Sequence, residues 1–277
     1  LFVVDQPLDM ADALAAEPLR PGKADPAPRS DLSGELLVHR PVFRIRLDGP
    51  AQLGGDLLAE ELADLVQAAG KPLAGHLRMS VIPTIAPFLL PRFLPRLRRE
   101  RPDLQLLLRE ETSQDAVESL QHGRVDCVLL ALPFATGEIE QAHIADDELY
   151  VAFPKGDPRD PPDVIPPSMI DEGRLLLLED GHCLKDHALA ACNRPELRAS
   201  ATMIGTSLHT LVQMVDNDLG LTMLPKMAID AGILNGTEVV ARPLKSKNAT
   251  REIALIWRRN SPRRDDFELL AKELREG

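Results

Sequence analysis

The residues most able to do chemistry sit together in Gly181-His182-Cys183-Leu184-Lys185-Asp186-His187-Ala188-Leu189-Ala190-Ala191-Cys192, which holds two of the chain's three cysteines. Thiols react as thiolates, and a thiolate is favoured beside Lys and protonated His and at a helix N-terminus. His182 adjoins Cys183, Lys185 follows two residues on, and His187 four on. Leu184, Ala188, Leu189 and Cys192 carry a helical apolar period that begins at the first cysteine. If residues 183–192 form one helix, nine residues at about 1.5 Å each separate the two sulfurs' backbones by roughly 13 Å. A disulfide requires Cα atoms within about 7 Å. The two thiols could therefore pair only by unwinding the helix between them, which would make oxidation a conformational event.

Two plainer readings stand beside that one. Free cysteines are common buried apolar residues, so the pair could be structural. His182, Cys183, His187 and Cys192 could in principle hold a metal, but their spacing fits none of the usual zinc patterns. Cys127 lies in an apolar run and reads as inert core.

The elements needed to position these residues follow from hydrophobic periodicity. Strands are expected at 77–82, 104–109, 125–132, 148–153, 175–178 and 252–257, and a short apolar segment at 221–224. Helices are expected at 87–99, 115–122, 183–192, 207–215 and 264–275. Their alternation marks an α/β sheet. Six prolines between Pro154 and Pro167 read as the crossing into a second lobe.

Several of these stretches resemble the regulatory domain of the OxyR group of LysR-type transcriptional regulators. Leu-Leu-Glu-Asp before Gly-His-Cys-Leu-Lys-Asp, with a second Cys nine residues after the first, looks like that group's sensor region. Leu77–Thr84 with Pro87–Pro91 resembles the first strand and helix of the domain, and Gly123–Leu132 a later strand. Thr206-Ser207-Leu208 and Leu219–Pro225 match further signatures, so the resemblance runs from about residue 72 to about 261. It implies an α/β, two-lobed, periplasmic-binding-protein-like (type 2) domain with two mixed or parallel sheets. Lobe I would take residues of about 75–150 and 252–277, and lobe II about 151–251, within a regulatory domain of 71–277. Apolar spacing at Leu58, Leu62, Leu65 and Val66 suits a linker helix over 55–70, through which such regulators dimerise.

The resemblance also implies a site and a function. Hydrogen peroxide would oxidise Cys183, the peroxidatic thiol, and Cys192 would resolve it into a reversible disulfide. Thr84, Ser113 and His182 would line the peroxide pocket, with Lys185, Asp186 and Arg251 in support. Ser113 stands where the group more often has Thr, and Lys185 where it usually has Arg, keeping the charge without the planar fork. Implied partners are promoter DNA through a helix-turn-helix, RNA polymerase, a glutaredoxin- or thioredoxin-type reductant and further copies of the chain, as dimer or tetramer. No cofactor, metal or enzymatic turnover is implied. The alternatives are a LysR-type regulator that binds a small organic effector, and a thiol-dependent peroxidase, whose thioredoxin-like Cys motif is missing here.

Residues 1–54 fit this scheme poorly. They hold seven prolines and no sustained helical period, so an irregular segment is expected, with the DNA-binding domain missing or degenerate. Residues 1–70 carry twelve acidic and six basic side chains, which phosphate would repel. The chain begins on Leu, as a fragment or the product of a damaged frame would. The net charge of −11 argues against a broad nucleic-acid surface. Three cysteines and the lack of any long apolar run fit a cytoplasmic protein without a membrane span.

Overall fold

The computed structural model describes residues 72–157, 161–193 and 204–276. The irregular segment 1–54 and the linker helix expected over 55–70 lie outside the described residues.

In chain order the elements are β1 (Gly75–Val81), α1 (Ala86–Glu100), β2 (Leu104–Glu110), α2 (Ser113–Gln121), β3 (Cys127–Leu132), β4 (Ile139–Phe153), β5 (Leu175–Leu178) and α3 (Cys183–Ala191). Then come β6 (Ile204–Gly205), α4 (Leu208–Asp216), β7 (Leu221–Pro225), α5 (Lys226–Asp230), β8 (Val240–Pro243), β9 (Thr250–Arg258) and α6 (Arg264–Arg275). The strands with the least polar sequences are the deepest. All of β5 and β7 and the first five residues of β3 are buried, as expected of strands covered on both faces. α1 opens with Pro87 in its first turn and closes on Arg98 and Arg99, both suited to their ends of the helix dipole.

The strands are hydrogen-bonded in the order β2-β1-β3-β9-β4-β7-β5-β6, with β8 also on β4. β1 is parallel to β2 and β3, while β9 runs antiparallel to both β3 and β4. β5 is parallel to β7 and β6. β4 is the shared member of the two mixed sheets. Residues 139–148 pair with β9, and the last few residues pair with β7 and β8. Hydrophobic alternation predicts a strand over 148–153 only, and the structure extends it to residue 139. The first half of β4 is amphipathic, exposing Glu, Gln and Asp, and β9 extends it by nine residues.

Two apolar clusters form the cores. The first gathers side chains of residues 73–144 with Ile253–Trp257 and the inner face of α6, where the rings of Trp257 and Phe267 lie 5.4 Å apart. The second gathers residues 149–249, chiefly from β5, β7, α3 and α4. Two residues cross over: Phe88 of α1 packs in the second core and Cys183 in the first. Among the described residues no helix is long and apolar enough to cross a membrane.

Candidate functional site

The turn between β5 and α3 sets the position of Cys183. Glu179 donates its N–H to the carbonyl of Gly205 (3.1 Å), tying the turn to β6. Gly181 then takes φ +93°, a conformation that costs an L side chain about 1–2 kcal/mol. Its carbonyl accepts the N–H of Gln114 at 3.2 Å, which brings the turn against the start of α2. Cys183 is the first residue of α3, and its N–H donates to the hydroxyl of Ser113 at 3.1 Å. Both residues are buried.

Burial is the largest influence on the Cys183 thiol and pushes its pKa above the ordinary value. The charge of Arg251 opposes it most, followed by hydrogen bonds from Ser113 and the backbone at Ala131; Asp186 adds to the upward push. Local spacing points to Lys185 and protonated His182 for thiolate support, and the resemblance adds Arg251; of the three, Arg251 is the one whose charge acts on the thiol. The Lys185 ammonium donates to Asp180 at 2.6 Å. His182 is buried, which lowers its pKa against the opposing charges of Glu179, Asp115 and Glu110. At neutral pH its ring is uncharged.

Arg251 is the fixed cation. Its side chain has no exposed surface. Nε and Nη2 donate to Asp147 Oδ2 at 3.0 and 2.9 Å, Nη1 donates to the Thr84 hydroxyl at 2.9 Å, and Nη2 also reaches the Thr84 carbonyl at 3.0 Å. The other carboxylate oxygen of Asp147 accepts the N–H of Met227 at 2.9 Å. A buried guanidinium is tolerable only when it is paired and hydrogen-bonded in this way. Asp147 is the member that sequence reasoning missed. Its signal was the acidic run Asp146-Asp147-Glu148, which becomes legible only once β4 is extended far enough to set Asp147 directly across from Arg251.

The structure thus brings Cys183 and Ser113 together and ties Thr84 to Arg251, whose charge reaches the thiol. His182 immediately precedes the sulfur-bearing residue, Asp186 is partly buried one turn on, and Lys185 faces Asp180. Cys192 is at the opposite end of α3, capping it by donating its N–H to the Ala188 carbonyl at 3.1 Å. It is buried in the second core. All three cysteines are thiols. With α3 intact, Cys183 and Cys192 are about 13 Å apart along the axis, beyond the reach of a disulfide. Cys127 lies wholly within the first core, where burial and the neighbouring Asp126 push its pKa far up. Among the described residues no group of three or more His, Cys, Asp or Glu is placed to hold a metal ion.

Two α/β cores joined through a shared strand, with a polar cluster where a helix start from one core enters the other, define a two-lobed regulatory domain of the periplasmic-binding-protein type. Residues 70–277 match the LysR substrate binding domain, and the chain belongs to the LysR family of transcriptional regulators. It is 37% identical over 250 residues to the HTH-type transcriptional regulator EstR of Acinetobacter baylyi, covering 86% of this chain and 81% of that one. Over 214 residues it is 31% identical to the DNA-binding transcriptional dual regulator OxyR of Escherichia coli, covering 77% and 70%. Among solved structures, the reduced regulatory domain of OxyR2 from Vibrio vulnificus superposes with a TM-score of 0.68 at 36% identity, over 74% of this chain and 97% of that one. A hydrogen-peroxide-bound Cys-to-Ser mutant of Corynebacterium glutamicum OxyR gives 0.71 at 28%, over 79% and 69%. These relatives are regulators, and the chain is a regulator rather than an enzyme.

Proposed function

We propose that this chain senses hydrogen peroxide for a LysR-type transcriptional regulator and switches by forming a Cys183–Cys192 disulfide. The observation that carries the reading is the setting of Cys183: a sulfur at a helix start, hydrogen-bonded by Ser113 and facing the charge of a fully buried arginine. Peroxide is small and uncharged, and a hydroxyl can donate to one of its oxygens while accepting from the other. Ser113 and Thr84 supply such hydroxyls, and Arg251 holds Thr84 in place.

In the first step the Cys183 thiolate attacks one peroxide oxygen. An S–O bond forms, the O–O bond breaks, and the departing hydroxide takes a proton to become water. The sulfur is oxidised by two electrons to a sulfenic acid as the peroxide is reduced. In the second step the Cys192 sulfur displaces that oxygen, which leaves as water, and the S–S bond forms. The second step requires α3 to unwind, because its intact length keeps the sulfurs apart. Cys183 and Cys192 both belong to lobe II, but the Cys183 side chain packs in the first core and Cys192 in the second, so the bond would withdraw Cys183 from the first core and change the setting of the lobes.

The lobes proposed are those of the two apolar clusters, residues of about 75–150 with 252–277 and about 151–251, within a domain of 71–277. A glutaredoxin- or thioredoxin-type dithiol would restore the reduced form. The readout would be promoter DNA and RNA polymerase, through a homo-oligomer in a cytoplasmic setting. Residues 1–70, with twelve acidic side chains against six basic, favour impaired DNA binding by this chain.

Mass analysis before and after peroxide tests the reading. Wild type loses two hydrogens and yields a linked Cys183–Cys192 peptide pair, whereas Cys192→Ser gains one oxygen at Cys183. The reading fails if Cys183→Ser reacts with peroxide as fast as wild type, or if the treated protein keeps both thiols. The match of residues 70–277 to a substrate binding domain supports a second reading in which a small organic effector binds between the lobes. A ligand-dependent rise in melting temperature with all thiols intact would support it.

A further inference from the structure

His187 lies one helical turn beyond Cys183 on α3 and is buried, with only 5% of its surface exposed. Its Nε2 is 2.9 Å from the carbonyl of Pro133, just past the end of β3. That oxygen can only accept, so Nε2 carries a hydrogen, and in the neutral ring that burial favours Nδ1 is the bare nitrogen. Nδ1 is buried and has no hydrogen-bond partner among the described residues. The contact joins the two cores: Leu184, Ala188 and Leu189 of α3 pack in the second, while β3 runs through the middle of the first.

We propose that His187 is a positioning residue of the switch, in which its hydrogen bond to Pro133 pins α3 in the helical state and protonation of its bare nitrogen releases the pin. This rests on the peroxide-sensing reading and adds to it a check on when the helix can open. A side chain that only had to donate to a carbonyl could be an amide, which does not titrate. An imidazole adds a second nitrogen that stays neutral only while it is buried. The charges that act on the ring are those of Arg251 from β9, itself paired with Asp147 on β4, and of Asp186 on α3; Cys183 lies four residues earlier on the same helix. Burial lowers the pKa of His187 most, Arg251 lowers it further, and the Pro133 bond and Asp186 oppose both. Once α3 unwinds, the ring reaches water and returns to an ordinary value near 6.5. The pin is therefore fully present above about pH 6.5 and weakens as pH falls below it, because the open form takes up a proton that the helical form resists.

The test measures hydrogen–deuterium exchange of the α3 amides by mass spectrometry, on the full reduced chain and without peroxide. It compares wild type, His187→Leu, which removes the donor, and His187→Gln, which restores a donor that cannot titrate. At about pH 7.5 the α3 amides of His187→Leu should exchange about fivefold faster than wild type, and those of His187→Gln within about twofold of it. At about pH 5.5, wild type should exchange about fivefold faster than His187→Gln measured at the same pH. Equal exchange in wild type and His187→Leu at pH 7.5 overturns the pin. Identical pH profiles for wild type and His187→Gln overturn its release by protonation, and that comparison stands even if His187→Leu fails to fold. Peroxide-driven disulfide formation in the same proteins separates the two readings. An exchange shift without a disulfide keeps the pin and removes the peroxide function, and a disulfide without an exchange shift does the reverse.

Discussion

Replacing Arg251 with Met should separate what the buried guanidinium does for the fold from what it does for the sulfur. The substitution keeps most of the volume and removes four hydrogen bonds, two to Asp147 and two to Thr84. The Asp147 carboxylate, 4% exposed, is then left without its cation. Removing one partner of a buried ion pair costs about 3–5 kcal/mol. For a domain of this size that lowers the melting temperature by about 10 °C, at about 2–4 °C per kcal/mol. Adding Asp147→Asn should recover most of the loss, because the amide oxygen can still accept the Met227 N–H and no unpaired charge remains. The sulfur should not recover. Arg251 is the strongest influence holding the Cys183 pKa down, and a loss worth one pKa unit slows thiolate chemistry about tenfold at neutral pH. Urea unfolding reports the first effect, and the rate of peroxide consumption the second. A single-variant cost under about 1 kcal/mol would refute the buried pair, and a double variant as fast as wild type would refute the arginine's action on the thiol.

Three further outcomes follow from the same geometry. Because burial holds the Cys183 pKa above its ordinary value, the rate of its reaction with peroxide should climb about tenfold per pH unit through neutrality and beyond about pH 8.5; a stopped-flow pH profile that levels off below pH 8 contradicts this. Ser113→Ala removes the acceptor of the Cys183 N–H and should cost about 1 kcal/mol in urea unfolding and slow the reaction, while Ser113→Thr should keep both near wild type. Gly181→Ala places an L side chain at φ +93° and its Cβ 3.4 Å from the Thr112 hydroxyl, so about 1–2 kcal/mol of stability should be lost; an unchanged unfolding midpoint would show that the turn relaxes freely.

The parts of the fold legible in the sequence were those whose side chains follow one pattern throughout. The runs at 125–132, 175–178 and 221–224 are apolar almost without interruption, and each becomes a buried strand. β8 gave no such signal, because Val240–Pro243 is half-buried along its length and ends in a proline. The first half of β4 hid for a related reason: it needs only β9 beside it and shows solvent a row of polar side chains. At the site, the cysteines and their helix could be read from local spacing. Local spacing did not show which cation faces the sulfur; only the family resemblance pointed to Arg251. Lys185 is two residues away in sequence yet pairs with Asp180, whereas Arg251, 68 positions further along, is buried and acts on the thiol. Contacts that bridge 104 residues, like Asp147 with Arg251, or 54, like Pro133 with His187, leave no trace in local pattern.

β4 has one more consequence. A single backbone is laced at one end into β9 and at the other into β7 and β8, so neither lobe can slide along it without tearing its own ladder. Twisting about that common rail is the motion left to the pair. Heat should therefore melt both lobes in one calorimetric peak rather than two, since losing either one strips half the bonds from the strand that the other is built on.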